Sequence, residues 1–395
     1  MESQPRASLE SFYRGKRVLL TGHTGFKGSW MAAWLKLMGA RVTGYALAPD
    51  AGPAGLFTAG KVGQGMASII GDIRDRSALA AVVREQQPEI VFHLAAQPLV
   101  RQSYVDPVET YEVNVIGTAN LLDELRKTEC VRSIVVITSD KCYENREWDW
   151  PYRETDQLGG HDPYSSSKAC TELVTAAFRS SFFHAGGRHV GIATARAGNV
   201  IGGGDWSTDR IVPDIIRALA ERRAVVLRNP GAVRPWQHVL EPLRGYLMLA
   251  ERVWFDPTIS GGWNFGPRGD DAVPVHELTQ RILAAWGEGN LEICPPPNAP
   301  HEARLLRLDF SKATSRLGWG PLLRLDEAIQ TTVTWYRTAV QQPAAVPELT
   351  VKQIRAFRDL SLLAGAAHVR IPTHGAILPV AANMGARPPK ETESR

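Results

Sequence analysis

Two apolar patterns alternate along this chain. Short unbroken apolar runs predict buried strands. Longer stretches, with apolar residues recurring every three to four positions, predict helices with one apolar face. Arg17–Thr21 reads as the first strand. It enters Gly22-His23-Thr24-Gly25-Phe26-Lys27-Gly28, and Ser29–Met38 follows as a helix that Gly39 stops. Arg41–Leu47 is a second strand and Ala67–Asp72 a third, with a helix over Ser77–Gln86. Ile90–Ala96 is the fourth strand, a helix covers roughly Pro107 to Thr128, and Ser133–Thr138 is the fifth. A helix opening at Tyr164 runs to about His184, and His189–Ala195 is strand six. This rhythm predicts an α/β fold, a doubly wound Rossmann-type parallel sheet over residues 12–195.

From Arg196 the alternation fades. A glycine-rich loop, Arg196–Trp206, leads to shorter pieces at Ile211–Arg222, Ala224–Arg228, His276–Trp286 and Leu325–Tyr336. These predict a smaller mixed α/β domain over 196–357, mainly for substrate, with segments free to return to the first. Beyond about Phe357 the chain turns rich in Ala, Gly and Pro, and 358–395 reads as a partly disordered extension.

Composition narrows the function. The 395 residues are 44% hydrophobic and 22% charged, ordinary for a globular protein, and the net charge is +4. That charge is too weak and dispersed to indicate nucleic acid. No apolar signal core opens the chain, and no run approaches the ~20 residues of a membrane span. The four cysteines (Cys130, Cys142, Cys170, Cys294) lack Cys-x-x-Cys or Cys/His ligand spacing, so no metal site is expected and a reducing cytoplasm fits.

Three stretches carry chemistry. Glycines between a strand and a helix allow a tight turn, close approach to a pyrophosphate and close helix–sheet packing. The helix N-terminus adds free N–H groups and a positive dipole end. Thr138-Ser139-Asp140-Lys141 places hydroxyl, carboxylate and amine at a strand's carboxyl end, where open α/β sheets put their ligands. Tyr164 and Lys168, four apart, share one helix face after Pro163 at the first turn. A cation beside a phenol favours the phenolate and creates a proton acceptor. Arg228, Arg234-Pro235-Trp236-Gln237-His238, His301 and Arg304 add basic and aromatic groups suited to a nucleoside diphosphate.

Thr21-Gly22-x-x-Gly25-Phe26-x-Gly28, His93-Leu94-Ala95-Ala96-Gln97 and Tyr164-x-x-x-Lys168 together resemble the extended short-chain dehydrogenase/reductase family that acts on nucleotide sugars. Residues 21–30, 138–145, 196–206 and 234–242 look most like members that act on CDP-glucose, and the resemblance covers roughly 12–357. It implies a homodimer binding NAD and CDP-glucose, with oxidation at C4, loss of water across C5–C6 and hydride return to C6. It also implies that Gly22, His23, Gly25, Phe26, Lys27, Gly28, Asp72, Ile73, Leu94, Ala95 and Ala96 hold the cofactor, with Tyr164 and Lys168. Asp72 would meet the adenine. Gln97, Asn199, Arg210, Arg228, Arg234, Trp236, His238 and Arg304 would hold the substrate. Tyr164 would take the 4-hydroxyl proton, Lys168 lower its pKa, Ser139 bond the 4-oxygen and Asp140 protonate the departing 6-hydroxyl.

Two departures qualify this. Related enzymes have Glu where this chain has Lys141, so either Lys141 is the C5 base, or it anchors Asp140 while another group takes the proton. Strand two ends without the acid that binds the adenosine ribose, and His23 and Lys27 could face a 2′-phosphate, leaving NADP open beside NAD. A 4-epimerase on the same scaffold would need no dehydrating acid. A non-catalytic dinucleotide-binding regulator would lack the intact Tyr/Lys pair.

Overall fold

A computed structural model of the chain describes residues 8–50, 52–184, 189–294 and 306–369. Seven strands form one parallel sheet: β1 Arg17–Thr21, β2 Arg41–Ala46, β3 Ala67–Ile70, β4 Ile90–His93, β5 Ser133–Ile137, β6 Gly191–Ala197 and β7 Gly261–Phe265. Their order is β3-β2-β1-β4-β5-β6-β7. The chain winds outward from β1, then returns to lay β4 on its other side. That reversal opens a crevice at the strands' carboxyl ends, the place where such sheets bind ligands.

Neighbouring residues on a strand point to opposite faces, so a sheet covered on both sides needs continuous apolar runs. Val18 and Leu20 of β1, with Val135 and Ile137 of β5, belong to one core. There they meet α1 (Phe26–Leu37). Leu19, Ile134 and Val136 face the opposite core. That side holds α2 (Arg76–Gln86) and α3 (Gly117–Leu125), with the later α4 (Pro163–Phe178) also packed against α3. α5 (Leu240–Phe255) fills the first face against β5 and β6.

Some expected elements differ in detail. The helix expected over 107–128 is Pro107–Tyr111, a wide π turn at Glu112–Ile116, and then α3. α4 likewise ends in a π turn, Arg179–Phe183. β4 stops at His93, because Leu94–Ala96 peel away at the crevice. β6 runs two residues past its expected end, to Ala197. β7, which no alternation announced, comes from deep in the C-terminal part and extends the same sheet.

The remaining C-terminal segments make two-stranded pieces. Val200–Ile201 pairs with Gln237–His238, Val225–Leu227 with Leu291–Ile293, and Val233–Pro235 with Ala272–Pro274. α6 (Leu325–Gln341) and α7 (Val346–Val369) follow. α7 runs unbroken through residue 357, where the extension was expected to begin. Phe357 is buried edge-on to Trp34 of α1, and Trp335 donates to Thr350, so this helix is part of the packed body. The rest of the expected extension, 370–395, lies outside the described residues.

Candidate active site

The crevice is lined from five directions. At the end of β1, Gly22 has φ +75°, and a Cβ there would lie 2.7 Å from Ala95 N. A Cβ on Gly28 would come within 2.0 Å of Gly22 O. Neither position tolerates a side chain, so strand, turn and α1 close tightly. Gly25 is exposed and caps α1 with no side chain over its first N–H groups. A surface of bare backbone donors at a helix N-terminus fits the pyrophosphate of a dinucleotide. Across the crevice, Thr21 O and Oγ1 accept from Leu94 N and Ala95 N at 3.2 Å each. His93 is buried between Thr21 Oγ1 at 2.7 Å and Thr118 Oγ1 at 2.9 Å, and burial brings its pKa down to about 3. It is a neutral clamp joining β1, β4 and α3.

Ser139 and Asp140 follow β5. Ser139 is extended, so its Oγ turns back to accept from Lys141 N at 3.3 Å and donates to Asp140 Oδ1 at 2.9 Å. Asp140 is buried, which pushes its carboxyl above the usual range against Lys141, Ser139 and Lys27. A Cβ on Gly198 would lie 2.7 Å from Asp140 Oδ2, so the glycine in the loop after β6 makes room for the acid. Lys141 is half-buried, and its ammonium makes no hydrogen bond or ion pair among the described residues.

α4 brings the third set. Asp162 caps its first turn by accepting from Ser165 N at 2.9 Å, and Pro163 begins it. Tyr164 and Lys168 are both buried and meet β5: Lys168 Nζ reaches Ile137 O at 3.4 Å. The phenol differs from the expectation. Burial outweighs the Ser139 hydrogen bond and Arg210, and its pKa rises to about 12. Burial brings Lys168 itself down to about 8, with Glu172 opposing.

Beneath this set lies a network that sequence reading missed. Glu172, one further helical turn along α4, accepts from Thr138 Oγ1 and Thr194 Oγ1 at 2.5 Å each and from Arg196 Nε and Nη2 at 2.8 Å each. Arg196 Nη1 continues to the Tyr143 hydroxyl at 2.6 Å. Asn114, carried by the π turn, was also missed. It donates to Ser167 Oγ at 2.8 Å and accepts from Gln97 N at 2.8 Å. A π turn shifts the helical register by one residue, which apolar spacing does not reveal.

Other expected site residues are placed differently. The His23 ring is buried against Gly44 and Phe57, with Nε2 2.7 Å from Ser68 Oγ, and burial brings it down to about 4. A neutral, covered ring cannot meet a 2′-phosphate. Lys27 points toward the catalytic end instead. Burial and then Arg210 lower it to about 8, with Asp140, Lys168 and Asp205 also near. Asp72 is held by Arg74 Nη2 at 2.7 Å, and the Ile73 side chain is in the core. Trp236 and His238 are packed among core residues: Trp236 is 6% exposed with Nε1 donating to Val273 O at 3.4 Å, and His238 lies fully buried edge-on to Trp30. Gln97 uses its amide on Thr110 Oγ1 and on Leu99.

Phe26, Ala96 and Asn199 are partly exposed. Arg210 pairs with Asp205 at 3.0 Å and Arg228 with Asp209 at 3.0 Å, while Arg234 Nη1 donates to Val233 O. Arg304 and His301 lie outside the described residues.

Similarity to known proteins agrees with this geometry. The family described as GDP-mannose 4,6 dehydratase matches residues 19–332. A CDP-glucose 4,6-dehydratase of Salmonella typhimurium is 50% identical over 336 residues, 84% of this chain and 93% of that protein. A GDP-mannose 4,6 dehydratase 2 of Caenorhabditis elegans is 26% identical, covering 83% and 90%. The fold is shared with a dTDP-glucose 4,6-dehydratase of Bacillus anthracis in complex with NAD, at 21% identity and TM-score 0.69, covering 82% and 97%. It is shared too with a UDP-glucose 4-epimerase of Stenotrophomonas maltophila, at 24% identity and TM-score 0.72, covering 82% and 98%. A Rossmann sheet with a glycine turn, a buried Ser-Asp pair and a Tyr/Lys helix face is thus matched across most of its length, and the chain belongs to the nucleotide-sugar 4,6-dehydratase family.

Proposed function

We propose that this protein converts CDP-glucose to CDP-4-keto-6-deoxyglucose and water, using NAD that is regenerated within each turnover. One observation carries the proposal: the half-identical match to a CDP-glucose 4,6-dehydratase spans the whole constellation of Ser139, Asp140, Lys141, Tyr164 and Lys168. The bare backbone at Gly22–Gly28, with Ala95 and Ala96 opposite, suits the dinucleotide, and NAD supplies the acceptor that takes hydrogen from C4 and gives it back at C6.

The chain's own groups do the rest. Tyr164 removes the 4-hydroxyl proton, and Ser139 steadies the 4-oxygen. The 4-ketone acidifies C5–H. Lys141, half-buried and with no ion-pair partner among the described residues, takes that proton as the neutral amine and can return it to C5, and Asp140, kept out of water, protonates the departing 6-hydroxyl. Incubation of pure protein and NAD with CDP-, dTDP-, GDP- and UDP-glucose tests the proposal. The expected product is lighter by one water, from CDP-glucose alone. A product of unchanged mass points to an epimerase and overturns the dehydration.

Two further properties belong to the same proposal. A homodimer forms through the helical surfaces near 107–128 and 163–184. Val108 and Leu173 stand exposed there, at 66% and 59%, whereas Ala169 is buried with Cys142, Tyr143 and Tyr152. A monomer by sedimentation at micromolar concentration overturns this. The site of action is the cytoplasm. No helix among the described residues is long and apolar enough to cross a membrane, and the four cysteines are free.

A further inference from the structure

The six residues Thr138–Tyr143 carry Ser139, Asp140 and Lys141 from the end of β5 into the next loop. Little within this stretch fixes its shape. Its own backbone bonds, Cys142 N to Ser139 O and Tyr143 N to Asp140 O, are long, at 3.3 Å each. Short bonds hold its two ends instead. At the first, Thr138 Oγ1 donates to Glu172 Oε1 at 2.5 Å. At the last, the Tyr143 hydroxyl accepts from Arg196 Nη1 at 2.6 Å and donates to Asn264 Oδ1 at 2.8 Å. Glu172 and Arg196 are joined to each other at 2.8 Å, so the ring closes. One buried ion pair grips both ends of the turn that carries the dehydrating groups.

The Tyr143 end is anchored beyond that pair. Asn264, on β7, is fully buried, and its Nδ2 donates to Tyr152 O at 2.9 Å and to Asp309 O at 3.1 Å. A phenol that accepts from one fixed group and donates to another has a single orientation. Its ring is stacked on Tyr152 at 5.2 Å, with the Arg196 guanidinium 4.9 Å from its centre. Burial, opposed by Arg196, pushes the phenol well above its ordinary range, so it keeps its proton. The two ends of the turn also serve different atoms. Ser139, assigned to the 4-oxygen, directly follows Thr138. Asp140 and Lys141, assigned to C6 and C5, lie nearer Tyr143.

We propose that Tyr143 is a positioning residue for water loss: its hydroxyl, held by Arg196 and Asn264, sets where Asp140 and Lys141 stand against C6 and C5. The inference rests on the proposed roles of those two residues. Tyr143→Phe tests it, since the ring stays and only the hydroxyl leaves. Single turnovers of the full chain with NAD and CDP-glucose are quenched with borodeuteride. A 4-keto sugar that still carries O6 becomes a C4-deuterated hexose, and the dehydrated product becomes a 6-deoxyhexose. Formation of the C4 ketone should stay within about threefold of the parent, small beside the loss of a general base. Water loss should slow by ~10–10²-fold, the scale of a misplacement of about 1 Å. A variant that only folds less well has fewer active molecules and slows both steps by one factor. Thr138→Ala, at the other end, should slow ketone formation as well, while Thr138→Ser, which keeps the hydroxyl, should stay within about threefold of the parent in both steps.

Hydrogen exchange of the cofactor-free protein, read by mass spectrometry, needs no turnover. In Tyr143→Phe the peptide covering 138–145 should exchange faster, while β5 and α4 keep the parent's protection. The role is overturned if Tyr143→Phe slows both steps equally or neither, if Thr138→Ala matches the parent in both, or if exchange over 138–145 does not change. A parent that forms no 4-keto-6-deoxy product fails the proposed function instead, and the exchange result still decides whether Tyr143 holds the turn.

Discussion

Glu172 and Arg196 meet in the protein interior through two parallel hydrogen bonds, Nε to Oε1 and Nη2 to Oε2, both 2.8 Å. Burial pushes the Glu172 carboxyl up, but Arg196 and the two threonines outweigh it and hold the group ionised. The pair ties α4 to β6 directly beneath Lys168 and the carboxyl end of β5. Both charges are 4% exposed, so neither can be left alone cheaply.

Removing one partner should therefore destabilise strongly. Glu172→Ala strands the guanidinium and should cost about 3–5 kcal/mol, read as a lower urea midpoint. Replacing both groups with apolar residues of similar size should recover much of that loss. A Glu172→Ala protein within about 1 kcal/mol of the parent would refute the pair's role.

Tyr164→Phe should lose ~10²–10⁴-fold in turnover while keeping cofactor affinity, since the ring stays and only the proton acceptor leaves. Turnover assays and calorimetry of NAD binding check the two halves separately. A variant within about threefold of the parent rules out Tyr164 as the base.

Lys141→Met should still oxidise C4 but neither lose water nor exchange the C5 hydrogen with deuterated solvent. Mass spectrometry of recovered substrate reads the exchange. Deuterium entering C5 at the parent rate would assign the base elsewhere.

Three histidines make the fold sensitive to acid. His23 is depressed to about 4, and His93 and His238 to about 3, all chiefly by burial. Their folded pKa values lie below the unfolded ~6.5, so the unfolded chain binds protons first as pH falls. The stability they contribute is present above about pH 6.5 and is lost progressively toward pH 4 and 3, at up to about 1.4 kcal/mol per pH unit for each. Glu241 works in the opposite sense. Burial raises it to about 7, so its contribution is present below its unfolded value and fades as pH rises toward 7. Unfolding midpoints at pH 7, 6 and 5 should fall monotonically, and should fall less in His238→Gln. An unchanged midpoint at pH 5 would contradict the assignment.

The sheet, the glycine turn and the Tyr164 helix were legible because each is a local pattern. Val18 to Leu20 alternate faces within one run, and Pro163 follows a capping aspartate. What escaped depends on distant partners. Trp236 and His238 look like ligand contacts in a basic, aromatic string, yet both side chains are buried, His238 edge-on to Trp30 and Trp236 donating to Val273 O. His23 sits in a motif that faces a ligand, but Gly44 on the neighbouring strand leaves a hollow that takes its ring. The phenol of Tyr164 was expected to be lowered by a neighbour on its helix, and burial against β5 decided otherwise. Nothing local to Glu172 marks it, because its partner Arg196 comes from β6.

β7 has a bearing on how the protein is made. All seven residues of β6 are buried, and its outer edge is closed by a strand, Gly261–Phe265, that leaves the ribosome well after it. At ~5–20 residues per second, that edge stands open on the order of seconds during synthesis. An open apolar edge is a template for pairing with another chain. Nascent chains should accordingly be most prone to aggregate, and most in need of a chaperone, in the interval before residue 265 emerges. Truncation anywhere between 200 and 260 would make that interval permanent.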